Sequence, residues 1–187
     1  TDALMLSGET ASGKYPLEAV KTMAAIAEQA EKDRNAMGEY EVPMNENCSQ
    51  REFLAHAAID ATRKLGVAGI ITDSLTGETV RHLAAFRGPN PILAICYNEK
   101  TQRWLNLSFG VIAIHQKDKI SPNYMFTAAL RMLRQKGYIT LDDKIAYLSG
   151  SFGLGNPGGT TFLEINKVRQ VFDKSYKFHL PNKETDK

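Results

Sequence analysis

Four short apolar runs mark the middle of the chain: Val67-Ala68-Gly69-Ile70-Ile71, Ile92-Leu93-Ala94-Ile95-Cys96, Val111-Ile112-Ala113-Ile114 and Ile145-Ala146-Tyr147-Leu148. Runs this short, rich in β-branched residues and without polar alternation, predict strands buried on both faces, as in a parallel sheet. Between them the apolar positions recur at helical spacing. Val80, Leu83 and Ala84 belong to a helix of about 78–86, a second covers about 100–107, and Met125, Ala129, Met132 and Leu133 form the buried stripe of a third over 122–136, opened by Pro122 behind Ser121 as cap. A further helix at about 50–65 offers Phe53, Leu54, Ala57, Ala58 and Ala61 on one face and stops at Gly66. Strand alternating with helix implies right-handed crossovers and a three-layer α/β/α sandwich.

The last connection breaks the alternation. Gly150 to Thr161, GSFGLGNPGGTT, has no helical period before the alternating strand 162–168. A parallel return needs a crossover element, so this fifth strand is expected antiparallel to the fourth. At the other end, Ala3-Leu4-Met5-Leu6 has a short strand pattern, Ser7-Gly8-Glu9-Thr10 a polar turn, and residues from Pro16 to about Arg34 repeat Leu17, Val20, Met23, Ala24 and Ala27 at helical spacing. Residues 35–48 lose all periodicity and carry Gly38 and Pro43, which is linker chemistry. The resulting division is a strand, turn and helix in 1–37, a linker at 38–48, the sandwich at 49–173 and a polar tail at 174–187.

Composition narrows the classes. Of 187 residues, 23 are Lys or Arg and 21 Asp or Glu, a net charge of +2 in mixed order, so neither a nucleic-acid nor an anionic-membrane footprint is expected. No stretch is long and apolar enough to span a bilayer, and no basic-then-apolar leader stands at the start. Cys48 and Cys96 are the two cysteines, the second inside an apolar run, which fits a reducing, cytoplasmic setting better than a disulfide framework.

Open α/β sheets bind ligands beyond the carboxyl ends of their strands, where strand order reverses. Two stretches qualify: Thr72-Asp73-Ser74-Leu75-Thr76-Gly77-Glu78-Thr79, where hydroxyls and backbone N–H groups gather at a helix start, and the glycine-rich stretch with Gly153, Gly155, Gly158 and Gly159. If their strands are neighbours, both face one pocket, and an anion such as phosphate would suit it. The same residues also serve as a helix cap at Thr76 and a plain connection, and Asp73 and Glu78 oppose an anion unless Arg81, Arg87 or a partner's cation compensates. His56, His82 and His115 stand singly, without metal-ligand spacing; Ser7 lacks a nucleophile-elbow pattern; Trp104 reads as a core or interface aromatic.

Longer motifs are more specific. TDALMLSGETASGKYPLEAV resembles the end of the catalytic barrel of the pyruvate kinase family, with its DA-hydrophobic-MLSGETA-x-G-x-YP-x-EAV pattern. The stretch TDSLTGETVRHLAAFRGPNPILAICYNEKTQRWLNLSFGV and the closing Gly159-Thr160-Thr161 are similar to the same family in the same order. The resemblance implies the family's C-terminal domain, a mixed five-stranded sheet in order 3-2-1-4-5 with strand 5 antiparallel, preceded by the last strand, turn and helix of a TIM barrel. The implied activity is phosphoryl transfer from phosphoenolpyruvate to ADP with Mg²⁺ and K⁺. The ligands of those ions belong to barrel positions before this chain, leaving at most the rim residues Ser7, Glu9 and Thr10, so the chain alone is expected to be catalytically silent. The family's C-terminal domain also implies a homotetramer and a phosphorylated small-molecule effector, at Thr72, Ser74, Thr76, Gly77 and Thr79 with Gly155, Gly158 and Gly159. Asn156 stands where fructose-bisphosphate-regulated members carry Arg, and Phe162 where Asn is common. Loss of that bidentate clamp favours a monophosphate effector or none, and the alternative is a purely structural assembly module. A lone barrel strand needs partners, so residues 1–12 are expected to be mobile or to pair with another copy.

Overall fold

A computed structural model of the chain describes residues 1–36, 42–116, 122–150 and 159–177. It divides into two units, Thr1–Pro43 and Met44–Lys187.

In the first unit, α1 is a single turn, Gly8–Ala11, and α2 runs Pro16–Ala36. Pro16 suits the opening of α2, where a missing N–H leaves nothing unsatisfied. The expected strand at Ala3–Leu6 does not form; residues 1–7 are irregular. A strand persists only when a neighbour takes its N–H and C=O groups, and periodicity says nothing about whether one is present. No described side chain in residues 1–33 is buried.

The second unit opens with α3, Gln50–Lys64, capped by Ser49, whose Oγ accepts the Glu52 N–H at 3.2 Å. The chain leaves α3 through Gly66 at φ +65°, a left-handed position that glycine adopts freely. Its buried stripe is Ala55, Ala58, Ile59, Ala61 and Thr62, which includes the expected Ala58 and Ala61, while Phe53, expected inside, is exposed. Then follow β1 (Val67–Ser74), α4 (Glu78–Ala85), β2 (Ile92–Cys96), α5 (Glu99–Leu105), β3 (Val111–His115), α6 (Pro122–Gln135), β4 (Lys144–Ser149), β5 (Phe162–Lys167) and α7 (Val168–Lys177). Ser121, expected to cap α6, lies outside the described residues.

The sheet order is β3-β2-β1-β4-β5, with β5 antiparallel to β4 and the other pairs parallel. Both the order and the antiparallel edge are as expected. Ile71, Leu93, Ile95, Ile145 and Tyr147 form one core with Ala129, Leu130 and Leu133 of α6 and Val168 of α7. Side chains alternate along a strand, so Ile70 turns to the other face, where α3 and α4 pack on each other and on β1. α7 went unread in the sequence because the alternating pattern of β5 ran into Val168. Val168, Val171 and Phe172 in fact have helical spacing and dock on the core, so ordered helix continues into the stretch taken as tail.

Candidate functional site

β1 and β4 are paired with Thr72 opposite Leu148, so their carboxyl ends emerge side by side. The chain turns from β1 toward β2 and β3 on one side and reaches β4 and β5 on the other, which makes this the reversal point of the sheet. The two candidate stretches do meet there. Thr79 Oγ1 and Thr160 Oγ1 lie 2.7 Å apart in a buried hydroxyl pair, and the Thr161 N–H donates to the Ser149 carbonyl at 2.9 Å.

Each candidate residue has a definite place. Thr72 is fully buried in β1, its hydroxyl 3.4 Å from the Asp73 carbonyl. Ser74 Oγ accepts the Gly77 N–H at 2.7 Å, which closes the loop on itself. The capping position expected at Thr76 belongs to Gly77, at φ +82°, where an added Cβ would stand 3.0 Å from Leu105 Cδ2. Only a residue without a side chain fits both constraints. Thr76 is exposed, and its carbonyl accepts from Arg81 Nη1 at 3.4 Å. Gly159 is half-buried beside Thr160. Gly155, Gly158 and Asn156 lie outside the described residues.

The two acidic residues are both engaged. Glu78 pairs with Arg51 of α3 at 2.5 Å. The Asp73 carboxylate accepts three hydroxyls: Ser149 Oγ and Tyr147 OH (3.5 Å) on Oδ1, and Tyr97 OH (3.3 Å) on Oδ2. Burial, followed by the charge of Asp73, raises both phenols well above the usual tyrosine value. Nothing in the sequence singled out this cluster, because its hydroxyls come from the ends of two strands, Tyr97 after β2 and Tyr147 with Ser149 on β4, that only the sheet order brings to either side of Asp73 on β1.

Arg81 lies with its guanidinium carbon 5.4 Å from the Trp104 ring centroid, and no carboxylate pairs with it among the described residues. Trp104 is exposed on α5 instead of packing in the core. Arg87 lies over Phe109, beyond the far end of α4. Among the described residues the loop therefore has two cations beside it, Arg51 paired with Glu78 and Arg81 without a carboxylate, while the charge of Asp73 is met by hydroxyls alone.

The remaining candidates form no further site. His56 packs edge-on against Phe86, and His115 Nδ1 is 3.8 Å from Glu99. No group of three or more His, Cys, Asp or Glu able to hold a metal ion occurs among the described residues. The Ser7–Thr10 turn is closed on itself. Glu9 accepts the Ser7 N–H at 3.1 Å, Thr10 Oγ1 donates to the Ser7 carbonyl at 3.1 Å, and the Glu9 carboxyl is lowered below its ordinary value by the backbone N–H groups of Glu9 and Ser7. No helix among the described residues is long and apolar enough to cross a membrane.

Comparison with known proteins places these features in context. Residues 52–166 match the model of the pyruvate kinase alpha/beta domain. A pyruvate kinase from Borreliella burgdorferi is 38% identical over 173 residues, which cover 91% of this chain and 36% of that protein. One from Bacillus licheniformis is 34% identical over 93% of this chain and 30% of its own length, and pyruvate kinase 2 from Synechocystis is 31% identical over 93% and 29%. The chain thus spans about a third of the length of the curated relatives it matches.

Proposed function

The chain belongs to the pyruvate kinase alpha/beta-domain family, and from that premise we propose that it is the regulatory and assembly portion of a pyruvate kinase, carrying an effector site where the 72–79 loop meets Thr160. The parent reaction is phosphoryl transfer from phosphoenolpyruvate to ADP, dependent on Mg²⁺ and K⁺, in a cytoplasmic homotetramer. The chain by itself does not turn over phosphoenolpyruvate: the polar groups of its Ser7–Thr10 turn bond one another and leave no assembled acid, base or metal set there.

The observation that carries the effector reading is the Thr79–Thr160 hydroxyl pair, which ties two stretches 81 residues apart at the reversal point of the sheet. The ligand is a phosphate monoester. Arg81 stands by the loop without a carboxylate partner among the described residues, and the Asp73 carboxylate in the same stretch disfavours a second phosphate. Titration calorimetry of the chain with AMP, ribose 5-phosphate and fructose 1,6-bisphosphate tests this, with binding expected for a monophosphate and weaker binding for the bisphosphate. Silence with all three favours a purely structural assembly module. Specific observations support that second reading too, since the hydroxyls of Ser74, Thr79 and Thr160 already bond within the protein. Pyruvate formation by the purified chain would overturn the catalytic silence.

A further inference from the structure

β3 is an edge strand, and Val111-Ile112-Ala113-Ile114-His115 is apolar, rich in β-branched residues and free of proline and of Lys, Arg, Asp and Glu. A strand of this kind offers its unpaired N–H and C=O groups to any further strand. The Ile92 N–H donates to the Gly110 carbonyl and the Gln116 N–H to the Cys96 carbonyl, each at 2.9 Å, so the even-numbered residues face β2. Val111, Ala113 and His115 therefore point their backbone groups outward.

The protein occupies this outward row itself. The Ala113 N–H donates to Asn106 Oδ1 at 3.0 Å, and Gln102 Nε2 donates to the Ala113 carbonyl at 3.3 Å, so two side-chain amides take both groups of one alanine. The Val111 N–H is taken by the Ser108 carbonyl at 3.3 Å, and the Glu99 carboxylate lies 3.8 Å from His115 Nδ1. Glu99, Gln102 and Asn106 are spaced i, i+3 and i+7, so α5 and its C-cap lay one polar face along the strand.

We propose that Gln102 and Asn106 are edge guards, withholding β3 from two-fold pairing with a second copy of this chain. The excluded partner is a second copy because an antiparallel pair of identical strands is self-complementary. Centred on Ala113, such a pair exchanges both backbone bonds between the two Ala113 residues, sets Val111 against His115 of the other copy, and places the smallest side chain on the axis. The uncharged strand supplies no repulsion of its own, which leaves the work to the two amides of α5.

The test uses the whole chain. By amide hydrogen exchange, Ala113 is expected to be protected by about a hundredfold or more relative to open loop amides, despite its edge position. The double variant Gln102→Ala, Asn106→Ala is expected to lose about tenfold or more of that protection at the lowest concentration and to show a new concentration-dependent dimer by sedimentation velocity. Asn106→Asp, which keeps an acceptor for the Ala113 N–H, should sediment as the unaltered chain does. An Ala113 amide that exchanges like a loop overturns the proposal. So does a folded double variant that associates no more than the unaltered chain, or an Asn106→Asp variant that associates as much as the double one. Where the double variant does not fold, exchange at Ala113 in the unaltered chain decides alone.

Discussion

The two units of this chain contrast in what they do with the same kind of sequence signal. α2 has apolar residues at helical spacing just as α6 does, and both are helices. In α6, Ala129, Leu130 and Leu133 are sealed against the sheet, whereas in α2 Leu17 is 60% and Ile26 64% exposed. An amphipathic period predicts a helix that wants a core; it does not supply one. Among the described side chains of residues 1–33 none is fully buried, whereas the strands and α6 of the second unit enclose a core of fully buried side chains.

The sharpest way to break this contrast is paired truncation. Leu93→Ala, in the centre of β2, is expected to lower the stability of the second unit by about 3 kcal/mol, while Leu17→Ala in α2 should stay within about 0.5 kcal/mol; urea unfolding followed by circular dichroism compares them. A large loss at Leu17 would show that α2 is covered in solution. Next in size is Gly77→Val, which combines a left-handed backbone with a clash against Leu105. It is expected to cost about 2 kcal/mol and to loosen the 72–79 loop, read as faster amide exchange at Glu78 and Thr79.

Smaller is Thr79→Val, which leaves the Thr160 hydroxyl buried without its partner and should cost about 1 to 2 kcal/mol. The double variant with Thr160→Val should recover part of that, because removing both polar groups is gentler than orphaning one. Alkaline pH tests the burial of other groups in the same unit. Burial pushes the Cys96 thiol up to about 11 from an ordinary value of about 9, and both Asp73-linked phenols are raised as well. The unfolded chain gives up these protons first, so the contribution of Cys96 is complete below about pH 9 and is lost as pH rises toward 11, and that of the phenols begins to fall only above the ordinary tyrosine value. Urea midpoints should therefore fall over that window, and a flat profile would show that these groups are open to solvent.

Much of the second unit was legible in order. Continuous β-branched runs named β1 to β4, helical spacing named the crossovers, and the missing helix before β5 set its antiparallel direction. The strand order 3-2-1-4-5 came from family resemblance, since no local pattern says which strands are neighbours. The misreadings have one cause. Ala3–Leu6 has strand composition but no neighbour to bond, and Phe53 sits on the helical stripe but outside the core. Each depends on what lies opposite, and periodicity is silent on that. Thr76 was misread for a related reason: the Ser74 hydroxyl takes the Gly77 N–H and turns the backbone, so the cap falls one residue later.

Taken alone, the sequence determined what is local: where the chain is helical or extended, where Gly66 and Pro16 punctuate it, and which family its long motifs belong to. Those follow from forces acting within a few residues. Only the tertiary structure decided the meeting of Thr79 with Thr160, the three hydroxyls around Asp73, the pairing of Glu78 with Arg51, and the two amides that close the edge of β3. Hydrogen bonds and ion pairs act over a few ångströms of space without regard to distance along the chain, so the arrangement of the sheet, and no pattern in the sequence, chose those partners.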